Sequence, residues 1–260
     1  MTNFSRAAFT LFLAAGLASA ARADADAVIA KARAYLGSDA ALDAVQSVHF
    51  TGSLVTTEQT ATGTKPVQAV VEIIFEKPYF QRIVAHSDEG VEITALDNYD
   101  GWHRVENAKD HSRWNMELLS TLAIKRLRAN TWENLAFFGG IGRIGGTVED
   151  LGPANVDGVA CEKLAFRHEQ GIVFFRYFDG ATGRLVLTET EQGGTIREEG
   201  EIMADGIRFP KKVVTTTKLA DGKDRSVTVN FDKVSVNETF PESLFAIPSL
   251  SQPQGGDAPR

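Results

Sequence analysis

A strand that is apolar on both of its faces runs through Ile172-Val-Phe-Phe-Arg-Tyr-Phe178. The stretches Val70-Val-Glu-Ile-Ile-Phe75 and Leu185-Val-Leu187 share this pattern. A strand with one face in water alternates apolar and polar residues with a period of two, whereas a strand that is apolar throughout its centre is covered on both faces. These three stretches therefore predict a sheet that has another element packed across it.

Further runs with a period of two surround those strands. The turn dipeptides between them include Asp100-Gly101 and Asp205-Gly206, which are typical of hairpins. We count about eleven or twelve antiparallel strands. So many strands in series do not stay flat, so we expect the sheet to curl into a barrel or to split into a sandwich. The predicted strands are Val48–Leu54, Val67–Glu76, Tyr79–Ala85, Val91–Leu96, Trp102–Val105, Val159–Phe166, Ile172–Phe178, Leu185–Thr190, Thr195–Met203, Ile207–Lys218 and Arg225–Val236.

Two regions follow helical spacing and are the candidates for the covering element. Asp24 to Val45 predicts a helical hairpin, because Gly37 stands where a C-cap glycine belongs and Ser38 can cap a second short helix. Asp110 to Phe138 predicts a helical insertion that breaks near Asn130. Its apolar residues at helical spacing are Trp114, Leu118, Leu119, Leu122 and Leu127, and the cations Lys125, Arg126 and Arg128 are expected to close a helix. The sheet would then be curved, with a helical lid or plug.

The first 23 residues have the pattern of a secretory signal peptide. An apolar run from Ala7 to Ala18 leads into the cleavage patterns Ala18-Ser-Ala20 and Ala21-Arg-Ala23. We therefore predict export to the periplasm, without a lipid anchor because no cysteine lies near these sites. The mature chain is predicted to be one soluble domain at 24–248, and the tail at 249–260, rich in Pro, Gln and Gly, is predicted to be disordered.

Composition excludes several classes of protein. Hydrophobic residues make up 43% and charged residues 23% of the 260 residues, which is typical of a folded, water-soluble chain. The net charge of −7 argues against a nucleic-acid partner, because neutralising phosphates takes a basic surface. The single cysteine, Cys161, allows no internal disulfide and is expected to be a buried, inert thiol.

Three patterns could carry chemistry but lack the context that such chemistry needs. The stretch Gly140-Ile-Gly-Arg-Ile-Gly145 matches the dinucleotide fingerprint, yet a helix is predicted before it and a strand after it, so it is interpreted as a connection. The group His103, Asp110 and His111 has no spacing that fixes a metal geometry. No G-x-S-x-G nucleophile elbow occurs anywhere in the chain.

A group of acidic residues follows the strand near Leu185. We interpret it as a solvated sheet face rather than as paired carboxylates for acid–base catalysis, because its members lie at alternating strand positions around a glycine turn. The group consists of Glu189, Glu191, Glu198, Glu199 and Glu201. With no assembled nucleophile, base or ligand set, we predict no catalytic residues, no metal, no cofactor and no enzymatic activity.

Several turn and strand-edge segments resemble the outer-membrane lipoprotein-sorting type of bacterial envelope protein, which includes the periplasmic lipoprotein carrier and its outer-membrane receptor. They cover most of the predicted mature chain and include Val156-Asp-Gly158, Tyr177-Phe-Asp-Gly-Ala-Thr-Gly-Arg-Leu185, Asp205-Gly-Ile-Arg-Phe-Pro210 and Val236-Asn-Glu-Thr-Phe-Pro-Glu-Ser-Leu-Phe-Ala-Ile-Pro248. The resemblance implies a half-open antiparallel barrel, with helices across its mouth and an apolar cavity for acyl chains.

These observations lead to one functional hypothesis and one alternative. We predict a periplasmic carrier or binding protein that holds a lipid or acylated, lipoprotein-like ligand, acts as a monomer and has an envelope membrane protein as a further partner. The alternative is a non-catalytic envelope interaction or structural module with a filled interior. The predicted apolar ligand-binding residues are Phe50, Ile73, Phe75, Leu118, Leu119, Leu122, Phe174 and Phe231.

Overall fold

The computed structural model describes residues 25–60, 63–110, 112–218, 222 and 224–248. The predicted signal peptide at 1–23 and the predicted tail at 249–260 lie outside the described residues. Helix α1 spans 25–36, α2 spans Asp39–Ala44 and α3 spans Thr121–Ala136. Three short 3-10 helices lie at Ile141–Ile144, Glu169–Gly171 and Glu242–Leu244.

The described strands outnumber those expected. The predicted runs at Thr195–Met203 and Ile207–Lys218 are each divided into two strands, and β6 and β7 are additional. The strands are β1 (Ser47–Thr60), β2 (Gly63–Glu76), β3 (Phe80–Ser87), β4 (Gly90–Asp97), β5 (Asp100–Asn107), β6 (Trp114–Leu118), β7 (Thr147–Val156), β8 (Val159–Arg167), β9 (Val173–Asp179), β10 (Leu185–Thr190), β11 (Thr195–Glu199), β12 (Ile202–Ala204), β13 (Ile207–Phe209), β14 (Lys212–Lys218) and β15 (Asp224–Val236).

One antiparallel sheet contains thirteen of these strands, in the order β6-β5-β4-β3-β2-β1-β15-β14-β11-β10-β9-β8-β7. Two meanders build it, and the pairing of β1 with β15 joins them in the middle. The hairpin of β12 and β13 pairs separately. The sheet is curved but not closed, with β6 and β7 at its two edges. The predicted fold class, mainly β with a half-open barrel and a helical lid, is confirmed.

Helices α1 and α2 form the predicted N-terminal hairpin. The Ser38 side chain accepts a hydrogen bond from the Ala41 backbone N–H and caps α2, as the sequence predicted. Helix α1 packs over β8 to β10 through Ala25 and Ala32. Gly183 (φ +81°) permits this approach, because a Cβ at that position would lie only 2.6 Å from the Lys31 carbonyl oxygen.

Helix α3 crosses the same face of the sheet, which we call the concave face. Thr131 Oγ1 donates a hydrogen bond to the buried Gln81 Oε1 of β3 at 3.1 Å, and Asn130 Nδ2 donates to the same oxygen at 3.3 Å. The predicted break at Asn130 is therefore wrong, because that side chain satisfies a sheet residue while the helix continues to Ala136. The predicted position of Lys125, Arg126 and Arg128 at a helix end is also wrong, since they lie in the first half of α3.

The predicted helix at Trp114 to Leu118 is a strand. This segment is β6, which pairs with β5 from Trp102↔Leu118 to Glu106↔Trp114 and so satisfies backbone groups at the edge of the sheet. Trp114 stacks on the Arg104 guanidinium at 4.7 Å and is 42% exposed. Its spacing to Leu118 fits a period of two as well as a helical turn, which is why the pattern was ambiguous.

The opposite, convex face has its own cover. Phe245 packs against Phe80 at 5.2 Å, and its carbonyl oxygen accepts a 2.8 Å hydrogen bond from the Trp102 indole.

Cys161 is 2% exposed in a convex-face cluster, and burial raises the pKa of its thiol, as expected of an inert cysteine. Within the described residues, no helix has the length and apolar character needed to cross a bilayer.

Candidate functional site

A hollow of about 300 Å³ lies between α3 and the concave face, and we call it the inner cavity. On the strands of the large sheet alternate residues reach it, because side chains at i and i+2 share a sheet face. The strands contribute Phe50, Ile73, Phe75, Ile83, Phe174, Arg176, Thr188, Ile196, Glu198, Arg208, Phe209, Val213, Thr215, Val229 and Phe231, and Leu36, Asn130, Glu133, Asn134, Phe137, Phe138 and Pro210 complete the lining.

One side of the inner cavity is apolar, and we call it the apolar wall. It consists of Phe50, Ile73, Phe75, Val229 and Phe231, which come from β1, β2 and β15. The Phe50 ring lies at its centre, 4.6 Å from Phe231 and 6.4 Å from Phe75 between ring centroids. Such a surface binds hydrocarbon by removing it from water and demands no particular orientation.

The other side carries charged and polar groups, and we call it the polar wall. It consists of Glu133 of α3, Arg176 of β9, Thr188 of β10 and Glu198 of β11. The register Arg176↔Thr188↔Ile196 places one residue of each strand on the same concave row. The polar wall thus lies where the second meander faces α3.

A buried ion pair ties α3 to the polar wall. Arg176 Nη1 donates to one Glu133 carboxylate oxygen, and the other accepts from His168 Nε2 at 2.5 Å. Burial raises the pKa of Glu133, but the charge of Arg176 and the hydrogen bonds from His168 and Arg176 outweigh burial and hold that pKa below its ordinary value. Glu133 is therefore ionised at neutral pH, with its charge compensated inside the fold.

Glu198 is the exception among the predicted solvated acids. Its strand neighbour Glu199 is exposed and pairs with Lys212 at 2.6 Å, as a solvated face requires. Glu198 faces the inner cavity, partly buried, and pairs in register with Val213. Within the described residues, no hydrogen bond or ion pair reaches its carboxylate. Burial raises its pKa, and the charge of Arg176 offsets only part of that shift.

The predicted ligand-binding residues fall into two sets. Phe50, Ile73, Phe75, Phe174 and Phe231 all line the inner cavity. The structure does not bring the other three there. Leu118 is 65% exposed and Leu122 is 50% exposed. Leu119 packs beside Gly101, where its Cδ1 would lie 3.1 Å from an added Cβ. Helix α3 reaches the cavity through residues in its C-terminal half instead.

Two further hollows adjoin the inner cavity. One, of about 440 Å³, continues along the concave face between β1 and β5, shares Ile83 with the cavity, and is called the outer groove. The other, of about 280 Å³, is called the mouth hollow, and Tyr35, Glu201 and Arg208 lie on it. The residues common to the mouth hollow and the inner cavity are Leu36, Glu198, Arg208, Phe209 and Pro210. A long, narrow ligand in the inner cavity could therefore extend into the outer groove or into the mouth hollow.

A larger hollow than the inner cavity lies elsewhere and differs in the number of charged residues on its lining. It has a volume of about 780 Å³ and lies between the N-terminal hairpin, the turn at Lys77-Pro78 and the end of α3. Its lining includes the charged residues Arg33, Asp39, Asp43, Lys77 and Arg143. Arg33 pairs with Asp39 at 2.6 Å and with Asp43 at 2.7 Å. Apolar chains are better served by the inner cavity, because burying them beside charges forces those charges out of water.

The other chemical motifs keep their structural interpretations. The stretch Gly140–Gly145 forms a 3-10 turn between α3 and β7, which is the connection that was predicted. His103 contacts Glu92 at 2.9 Å and Glu117 at 3.6 Å across neighbouring strands. His111 lies outside the described residues. Across the residues that the structure describes, no group of three or more His, Cys, Asp or Glu side chains is arranged to hold a metal ion.

Several solved structures have a similar architecture. A domain of the outer membrane lipoprotein-sorting type from Vibrio parahaemolyticus aligns with 85% of this chain and 97% of its own, at a TM-score of 0.53 and 11% identity. A LolA superfamily protein from Nitrosomonas europaea aligns with 86% and 97%, at a TM-score of 0.53 and 12% identity. The fold is that of the lipoprotein-sorting proteins.

A third solved structure also has a similar fold. A DUF1329 family protein from Desulfovibrio piger aligns with 85% of this chain and 96% of its own, at a TM-score of 0.52 and 10% identity. No family model and no curated protein matches the sequence. The predicted resemblance is therefore confirmed at the level of fold, and the cavity has to be interpreted from its own residues.

Proposed function

We propose that this protein is a non-catalytic carrier or binding protein of the cell envelope, which holds a lipid or acylated ligand in the inner cavity. The observation that carries the proposal is a hollow of about 300 Å³ with an apolar wall beneath a helix, in a sheet whose convex-face clusters are packed. The solved structures of similar fold support it, since one is of the lipoprotein-sorting type.

The binding mechanism is burial of hydrocarbon. Each CH₂ group removed from water contributes about 0.8 kcal/mol, so a chain along the apolar wall binds without any catalytic group. We assign the contacts to Phe50, Ile73, Phe75, Phe174 and Phe231. Small-molecule sites span about 300–1,000 Å³, so the inner cavity suits a single chain that extends into the outer groove. Export to the periplasm, predicted from residues 1–23, would place the protein beside such ligands.

A cavity-filling substitution tests the proposal. Thr215 lines the inner cavity from β14, and Thr216 is the next residue on the opposite face. We expect Thr215→Trp to weaken binding of a fluorophore-labelled dodecanoyl chain at least about tenfold, since a loss of 1.4 kcal/mol corresponds to that factor. Fluorescence titration measures the affinity, and Thr216→Trp, the matched control, should bind as the wild type does.

Thermal melts of both variants separate loss of binding from loss of folding. Two outcomes contradict the proposal: a wild-type protein that binds no labelled chain, or a folded Thr215→Trp variant that binds it unchanged. The first outcome favours the alternative of an interaction or structural module, in which the interior serves only stability.

A further inference from the structure

The charges around the inner cavity are compensated with one exception. Arg176 and His168 both bond to Glu133. Arg208 lies 3.1 Å from Glu201 and stacks over the Tyr35 ring at 4.4 Å. Of the charged side chains that the structure places on this lining, Glu198 alone has no counter-ion in contact.

An unpaired carboxylate in such a place is costly to the folded protein. Its register partner is Val213, whose own partner on the next strand is Val229, so the surface on that side of Glu198 is apolar. A charge among apolar groups is stabilised only by a counter-charge or by hydrogen bonds. Within the described part of the chain no hydrogen bond reaches this carboxylate, and the charge of Arg176, which is paired with Glu133, offsets burial only in part. A ligand group is therefore the remaining source of a counter-charge in contact with Glu198.

Glu198 also occupies a suitable position for a ligand head group. It belongs both to the mouth hollow and to the inner cavity, whereas Phe50 and Phe231 lie on the inner cavity alone. An amphiphile that enters with its chain first would leave its polar end at Glu198 and its chain against the apolar wall. The neighbouring Tyr35, which donates to Glu201 at 2.5 Å, lies on the same mouth hollow.

We propose that the inner cavity selects a single-chain amphiphile with a protonated amine head group, which the Glu198 carboxylate holds while the chain lies along the apolar wall. This inference rests on the proposed function. Only an ammonium group supplies a counter-charge to the ionised form of Glu198. A free fatty acid would bring a second negative charge to that form, and a long-chain alcohol would leave it without a counter-charge. A charge-assisted hydrogen bond to ammonium is roughly twice as strong as a neutral one.

The selectivity experiment uses three ligands with the same chain: dodecylamine, dodecanol and dodecanoate, each below its micellar concentration. They compete with the labelled dodecanoyl chain for the purified wild-type protein at neutral pH. We expect dodecylamine to bind at least about tenfold more tightly than the other two ligands. Glu198→Gln should reduce that preference to about threefold or less, and Glu199→Gln, the matched control, should retain it.

The pH dependence of the affinity provides a second readout that a purely structural role would not affect. Arg176 on β9, Glu133 on α3, Arg208 on β13 and the mouth residues Tyr35, Arg184 and Glu201 face Glu198 or lie beside it. Burial raises the pKa of Glu198 in the free protein, whereas a bound ammonium favours the ionised carboxylate, so binding releases a proton at pH values below the raised pKa. The dodecylamine affinity should rise with pH, by at most about tenfold per unit, and this slope should vanish in Glu198→Gln.

The outcomes distinguish this inference from the proposed function. Equal affinities for all three ligands, or a preference that survives in Glu198→Gln, overturn the amine assignment and leave the carrier proposal intact. Absence of binding by any chain overturns the carrier proposal itself. A thermal melt of each variant ensures that a folded protein is compared.

Discussion

The apolar wall and the polar wall of the inner cavity are held in place by different physics. Phe50, Phe75 and Phe231 come from adjacent strands and pack on one another within a larger hydrophobic cluster, so apolar packing positions them. The polar wall depends on α3, because Arg176 of β9 is neutralised by Glu133 of that helix. Small substitutions in the apolar wall should therefore lower the free energy of unfolding only slightly. Removal of one charged partner from the polar wall should lower it strongly.

The largest expected effect comes from removing the charge that joins α3 to the sheet. Glu133→Gln leaves Arg176 buried without its counter-ion, and breaking such a pair costs about 3–5 kcal/mol. Urea denaturation measures the change in the free energy of unfolding. Glu149→Gln is the control, since it breaks the half-exposed pair with Arg167 at 2.6 Å and should cost less than about 1 kcal/mol. A similar small loss in both variants would contradict the contrast between the two walls.

The pH dependence of the free energy of unfolding provides a second test of the pair between Glu133 and Arg176. The pKa of Glu133 is lowered in the folded protein, so its contribution is fully present above the ordinary value of 4.5 and is lost as the pH falls through the lowered value. The wild type should lose stability over this acidic range, and Glu133→Gln should lose less. Urea midpoints measured at several pH values below 4.5 provide the comparison.

A smaller effect should distinguish the two faces of β2. Ile73 lines the inner cavity and Ile74 is buried on the convex face. Removing one methylene by Ile→Val costs about 0.5–1.5 kcal/mol at a buried site. We expect Ile74→Val to lower the free energy of unfolding by that amount without changing the affinity for the labelled chain.

Ile73→Val should show the reverse balance, with a weaker affinity for the chain and a smaller loss of stability, because its side chain already borders empty space. Chemical denaturation and fluorescence titration of the same two samples measure both quantities. An unchanged affinity in Ile73→Val would remove this residue from the proposed contacts.

The smallest effect is expected at Leu118, which was predicted from the sequence to contact the ligand but lies outside the inner cavity in the structure. Leu118 is 65% exposed on the edge strand β6, so Leu118→Ser should change the free energy of unfolding by less than about 0.5 kcal/mol. The affinity for the labelled chain should also stay the same. A clear loss of affinity would mean that β6 reaches the ligand in the bound state.

The local elements were predictable because the information for them lies within a few residues. Ser38 caps α2 by reaching Ala41, and hairpin dipeptides such as Asp205-Gly206 fit the positive φ values of 47° and 78° that both residues adopt. The segment at Trp114 was not predictable, since a short run with two apolar spacings becomes a strand only when β5 offers its edge. The break at Asn130 failed because Gln81 of β3 satisfies that side chain.

The sequence by itself determined most of the strands and turns, the N-terminal hairpin and five of the aromatic and aliphatic residues that line the cavity. Those features follow from periodicity and from turn chemistry, which act over short distances. Only the tertiary structure decided that Glu198 faces inward while Glu199 faces outward, and that Glu133 meets Arg176 across 43 positions of sequence. The face that a strand residue occupies depends on register and on which face the helices cover, and a shift of one residue would exchange them.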